Sequence, residues 1–265
     1  MKIGVMVESF QLGFRAGVEK AAALGADGIQ AYATGGELDV DQMTPEKVRQ
    51  TLDIVKSHGL CFSAICGDFG VGFENEDSNK IYVEKSKRVL DLAKQLECNV
   101  VTTHIGHVPT EENALKEVMR RACRELALYA DSIGSSFAVE TGPETGAILA
   151  DFLDSLGAGG VRVNFDPANL VMCAGDPPVN ALKYLGKYVV HTHAKDGIKT
   201  STTPSGYLEV PLGQGGVNFD TYLPALRATG YDGFLTIERE VGDTPEADIS
   251  LAADFLRKKL AQYSL

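Results

Sequence analysis

The stretch AAALGADGIQAY, residues 21–32, returns near the other end of the chain as RATGYDGFLTIE, residues 227–238. Both contain Gly-x-Asp-Gly. In both, an amphipathic helical pattern breaks at the first glycine and an apolar β-type run follows the second. Glycine suits the left-handed cap that turns a helix back toward a strand. Looser versions of the unit are SHGLCFSAI, SIGSSFAVE, LGAGGVRVNF and YLGKYVVHTH. Strand-like runs lie near 2–8, 27–32, 60–66, 99–105, 136–140, 161–166, 188–193 and 233–238, with helical patterns between them. One such helix is TPEKVRQTLDIVKSHG. Thr44 is its N-cap, Pro45 its first residue and Glu46 lies in its first turn; Val48, Leu52 and Val55 mark the inner face, and Gly59 stops it. Strict alternation of strand and helix implies parallel pairing with crossovers. Eight units in 265 residues predict an α/β protein, a single-domain (β/α)8 TIM barrel spanning 1–265. An open doubly wound sheet is the alternative, but VESFQLGFRAG after the first strand has neither a dinucleotide nor a phosphate-loop pattern.

The net charge is −11, which repels phosphate backbones and disfavours nucleic acid and anionic membranes as partners. No stretch reaches the ~18 continuous apolar residues of a membrane helix. MKIGVMVESF lacks the cleavage pattern of a signal peptide. The five cysteines include no CxxC pair and read as reduced, which places the chain in the cytoplasm. Residues 197–216, rich in Ser, Thr, Gly and Pro, form the longest candidate loop, and long loops in compact domains are usually functional.

In such a barrel the chemistry belongs at the C-terminal ends of the strands. The last four runs end in SFAVE, RVNFD, VVHTH and FLTIE, so their final residues are Glu140, Asp166, His193 and Glu238. Because side chains alternate along a strand, all four can point into the barrel mouth while Val139, Phe165, Thr192 and Ile237 point away. Three carboxylates and one imidazole suit a single divalent ion: Mn2+, Mg2+ or Co2+, with Zn2+ also compatible. His191 shares the parity of His193 but lies roughly 6–7 Å deeper. It is expected as a hydrogen-bonded support or as the floor of a substrate pocket. Further candidate substrate contacts are Glu8, Tyr32 and His104 at other strand ends, and Lys195, which shares the inward parity of His193 and could neutralise an enolate or hold a phosphate. His107, Glu144 and Arg239 border the mouth, and His58 reads as a partner for a helix C-terminus.

The chain resembles the xylose isomerase-like TIM-barrel family of sugar phosphate isomerases and epimerases, which includes tagatose and psicose 3-epimerases, inosose dehydratase/isomerase enzymes and the endonuclease IV-like enzymes. The resemblance rests on VETG (139–142), VNFDPANLVMCAGDP (163–177), VVHTHAKD (189–196), PLGQGGVNFDTYLPAL (211–226) and LTIERE (235–240). It implies a Glu-Asp-His-Glu set holding one divalent metal, often Mn2+, which falls on Glu140, Asp166, His193 and Glu238. It also implies a homo-oligomer, a dimer or a tetramer. One departure is Asn169, which stands where many members carry a His three residues after the Asp; it can bond a substrate hydroxyl but carries no charge.

The expected function is metal-dependent epimerisation or isomerisation of a sugar, or of a sugar-like keto/hydroxy compound. Glu140 and Glu238 act as acid and base on the carbon beside a carbonyl, through a metal-stabilised enediolate. The same enolate could expel a hydroxyl, which makes dehydration of a keto-cyclitol-type substrate the alternative. An endonuclease IV-like phosphodiesterase would need more histidines than five and a basic surface. A sugar-binding protein without activity would have little use for two carboxylates flanking a Lewis acid.

Overall fold

The computed structural model describes residues 1–265. The strands are β1 (Lys2–Met6), β2 (Gly28–Tyr32), β3 (Cys61–Cys66), β4 (Val100–Thr103), β5 (Ser136–Glu140), β6 (Val161–Phe165), β7 (Val189–Ala194), β8 (Asp196–Lys199), β9 (Tyr207–Val210) and β10 (Phe234–Ile237). Strands β1 to β7 and β10 pair in parallel in chain order, and β10 closes on β1 to complete an eight-stranded barrel. The helices are α1 (Phe14–Ala23), α2 (Pro45–Ser57), α3 (Glu76–Gln95), α4 (Ala114–Ser132), α5 (Gly146–Ser155), the single turn α6 (Pro167–Asn169), α7 (Pro178–Leu185), α8 (Phe219–Ala228) and α9 (Pro245–Tyr263). None is long and apolar enough to cross a membrane. Helix α2 forms as its caps dictate: Thr44 Oγ1 accepts the Lys47 amide at 3.3 Å, and Val48 and Val55 are buried.

Alternation along the strands divides two kinds of core. One parity, including Ile29, Phe137, Val139, Val163, Phe165, Leu235 and Ile237, joins the apolar layer between sheet and helices. The other parity is polar and just as buried. Ser63 Oγ lies 3.2 Å from Thr236 Oγ1, Thr236 Oγ1 lies 2.8 Å from His191 Nε2, and His191 Nδ1 lies 2.8 Å from Asn164 Oδ1. Each group has a partner, so this polar interior carries little desolvation penalty and holds its members in one arrangement. Gly4 makes room for it, since a Cβ there would meet Thr236 Oγ1 at 2.5 Å.

Three boundaries differ from the sequence reading. Strand β1 stops at Met6 and Val7–Phe10 forms a 3-10 turn, which takes Glu8 off the strand. Asp166 and Glu238 lie one residue beyond β6 and β10. The long loop 197–216 largely folds as the antiparallel hairpin β8–β9.

Asp196, at the start of the hairpin, fastens the following segment 213–217 to it. Its Oδ1 accepts the amides of Gly197 (2.9 Å) and Val217 (3.0 Å), and its Oδ2 those of Gly213 (3.0 Å) and Gly215 (2.9 Å). Asp196→Ala strands four amides. The expected cost is about 2–4 kcal/mol in urea unfolding, with faster hydrogen exchange at Gly213, Gly215 and Val217. Unchanged exchange at these amides would show that the loop holds without Asp196.

Candidate metal centre at the barrel mouth

Four adjacent strands, β5, β6, β7 and β10, end at the cluster. Glu140, Asp166, His193 and Glu238 each present one ligand atom, all within 4.8 Å of one another, and all four side chains are buried. His193 Nδ1 sits in the middle, 3.4 Å from Glu140 Oε1, 3.3 Å from Glu238 Oε2 and 3.8 Å from Asp166 Oδ2. The two glutamates flank it from opposite ends of the row of strands.

Each member is aimed by a neighbour. His193 Nε2 donates to Gln30 Oε1 at 3.1 Å, and Gln30 Nε2 in turn donates to Thr102 Oγ1 at 3.0 Å. This leaves Nδ1 as the nitrogen turned to the carboxylates. Glu140 accepts from Asn169 Nδ2 at 2.9 Å on one oxygen and from Asn164 Nδ2 at 3.1 Å on the other. Asp166 Oδ1 caps α6, accepting the amides of Ala168 (2.7 Å) and Asn169 (3.0 Å).

Asp166 Oδ2 tests whether the set fits a metal. It is buried and has no hydrogen-bond partner. A buried carboxylate oxygen without a partner is costly unless a cation supplies one. The orphaned oxygen, the imidazole nitrogen and the two glutamates therefore fit a hard divalent cation, and these four residues would hold it.

Electrostatics reflect the crowding. Burial pushes the Asp166 carboxyl up. Burial would also raise Glu238, but His193 and Lys195 outweigh it and hold that carboxyl below its ordinary range. Burial would lower His193, yet Glu238 and Glu140 keep the imidazole well above its usual value.

Above the cluster lies a cavity of about 290 Å3. Tyr32, His104, Asn169 and Lys195 line it together with Glu140, His193 and Glu238. His104 Nε2 is 3.7 Å from Glu140 Oε1 and its Nδ1 is 2.7 Å from Asp68 Oδ2. The charge of Glu140, aided by Asp68 against burial, pushes the His104 imidazole up to about 9. Lys195 Nζ donates to Glu238 Oε2 at 2.9 Å and also to Glu240.

Two expected substrate contacts lie elsewhere. Glu8, diverted by the 3-10 turn, lines a neighbouring cavity and accepts the Tyr32 amide at 3.0 Å. His191 does not line the main cavity; both its nitrogens are engaged below by Asn164 and Thr236, as a support. Glu144 is buried outside the cavity, with its carboxyl pushed up by burial to about 7. Arg239 is tied to Glu209 and Asp248, and the His58 ring bonds the Ile54 carbonyl.

Sequence reasoning missed Gln30, Asn164, Asp68, Glu240 and Tyr207. Gln30 and Asn164 were visible as polar residues of inward parity inside apolar strands. Asp68 and Glu240 stand two residues beyond Cys66 and Glu238, which also line the mouth. Tyr207 reaches the cavity only because the hairpin folds over it. Gln30→Leu, which removes the acceptor for His193 Nε2, is expected to weaken Mn2+ binding 10–100-fold (roughly) by electron paramagnetic resonance titration. Parent-like affinity would show that the imidazole needs no such support.

Residues 18–259 match the xylose isomerase-like TIM barrel family model, and the chain belongs to that family. A xylose isomerase domain protein from Planctomyces limnophilus is similar over 98% of this chain and 97% of its own, with 26% identity and a TM-score of 0.86. D-psicose 3-epimerase from Clostridium cellulolyticum H10 is similar over 98% and 99% of the two chains with a TM-score of 0.77; at 17% identity this speaks to the fold alone. L-ribulose-5-phosphate 3-epimerase UlaE of Salmonella paratyphi C is 31% identical over 80 residues, a match covering 29% of this chain and 26% of that one.

Proposed function

We propose that this chain is a divalent-metal-dependent sugar epimerase or isomerase, with Mn2+ as the first candidate ion, that moves a proton at the carbon beside a carbonyl. The observation that carries this reading is the pair of carboxylates, Glu140 and Glu238, on either side of His193 at the base of one cavity. Glu140, Asp166, His193 and Glu238 are the ligands. When bound, the ion supplies Lewis-acid polarisation of a substrate carbonyl. One glutamate takes the proton from the neighbouring carbon and the other returns it from the opposite face, which inverts that carbon. Return to the adjacent carbon on a single face gives aldose–ketose isomerisation instead. Asn169 and Asn164 hold Glu140 in orientation, and Lys195 holds Glu238 in place as an ionised carboxylate. Tyr32 and His104, which line the cavity, take the role of contacts to substrate hydroxyls in this reading.

The test is incubation of the Mn2+-treated protein with a panel of ketoses in D2O. The expected result is deuterium at the carbon beside the carbonyl, with a new epimer or aldose in the product. Absence of exchange across a broad panel would overturn the reading. Loss of water in place of a rearranged sugar would assign the chain to dehydration.

A further inference from the structure

The cavity has no free cation to offer an anionic substrate. Its lining carboxylates are Asp68, Glu140, Glu238 and Glu240. Asp166, of the metal cluster, stands behind these four as a fifth carboxylate. Against these stand Lys195, at most one imidazolium on His104, and a divalent ion when bound. The balance stays negative. Lys195 is the one lysine of the lining and no arginine is present. Its Nζ is already held between Glu238 and Glu240, with Glu209 Oε2 at 3.8 Å. Arg239, next to Glu238 in the chain, is bound to Glu209 at 2.7 Å and Asp248 at 2.8 Å. Phosphate recognition calls for unpaired Arg or Lys donors, or a helix N-terminus open to the anion. The helical turn that opens onto this cavity is already capped by Asp166.

We infer that the site selects an uncharged sugar over its phosphate ester, and that Glu240 is the specificity-determining residue, engaging Lys195 from the solvent side. This inference rests on the sugar epimerase or isomerase reading above. It sets this chain apart from the ribulose-phosphate epimerase that it partly resembles. Discrimination here is repulsive, built from carboxylates set against the competitor. Glu240 suits the role: it leaves the barrel just after β10, and its side chain is 56% exposed. It can therefore be changed without opening the core.

The experiment compares free ketopentoses with their 5-phosphates on the Mn2+-treated full chain, by deuterium exchange. The expected result is exchange favouring the free sugar at least about 100-fold in kcat/KM, with Glu240→Gln narrowing that ratio about tenfold as Lys195 loses its solvent-side carboxylate and the mouth loses one negative charge. Preference for the phosphate, or an unchanged ratio in Glu240→Gln, overturns the inference and leaves the epimerase reading intact. Exchange with neither sugar sinks that reading, and binding then decides the inference. Calorimetric titration with a pentitol 5-phosphate should show about tenfold tighter binding to Glu240→Gln than to the parent. Equal affinity overturns the proposal. Any direct contact between phosphate and metal is common to both proteins and cancels in the comparison.

Discussion

Glu140→Gln is expected to keep the barrel and lose about 10²–10⁴-fold in deuterium exchange, the usual worth of a positioned acid–base group. Its surroundings explain why the loss should be chemical rather than structural. Glutamine is nearly isosteric and can keep one oxygen toward Asn164, whose own Oδ1 is committed to His191. Its new amide faces Asn169, whose side chain can turn its oxygen inward to accept. What disappears is the carboxylate's ability to accept and return a proton. Glu140 is also a ligand, so Mn2+ affinity, followed in parallel by electron paramagnetic resonance, should fall as well; exchange is therefore compared at saturating Mn2+, where the remaining loss is that of the proton-transfer group. A variant that binds Mn2+ and keeps full exchange would remove Glu140 from the acid–base pair.

Asp166→Asn should give the opposite pattern, a large loss of metal with little loss of stability. Its two oxygens do different work. Oδ1 caps the turn α6 through two amides, and an asparagine oxygen can do the same. Oδ2 is the buried atom without a partner, and replacing it with an amide nitrogen removes both charge and lone pairs from the metal site. Mn2+ affinity is expected to fall by about 100-fold or more, at least the upper end of what loss of a supporting residue costs. Stability of the metal-free chain should change by no more than about 1 kcal/mol, because relieving a buried carboxylate offsets any weakening of the cap. Undiminished Mn2+ affinity would exclude Asp166 as a ligand.

These two residues also show how much of the site was legible before folding. Glu140 and Asp166 were readable because strand parity and position are local properties: a polar residue closing an apolar run must end at the barrel rim. Asn169 was readable as a departure in the DPAN segment, but its consequence was not. Only the turn after β6 shows that the asparagine reaches back to Glu140. Lys195 was read as a possible phosphate holder. The hairpin and the residue two beyond Glu238 close carboxylates around it, with Nζ bonded to Glu238 and Glu240 and with Glu209 Oε2 3.8 Å away. Glu8 was misplaced for a local reason: the chain leaves strand geometry at Val7, and one 3-10 turn is enough to aim its carboxylate at the Tyr32 amide.

The repeating helix–glycine–strand unit, the parity of the strand ends and the chemistry of Glu140, Asp166, His193 and Glu238 were determined by the sequence by itself. They depend on periodicity and residue type, which need no knowledge of distant neighbours. Tertiary structure alone decided which groups stand behind them. Gln30 meets His193 across 163 positions of sequence, and His191 joins Ser63 and Thr236 only because the barrel closes. Ring closure brings β10 back against β1, and no local pattern records who faces whom across the interior. The different depths of the two histidines of VVHTH are set by the strand itself; closure supplies Gln30 and Glu238 around His193 and Ser63 and Thr236 around His191.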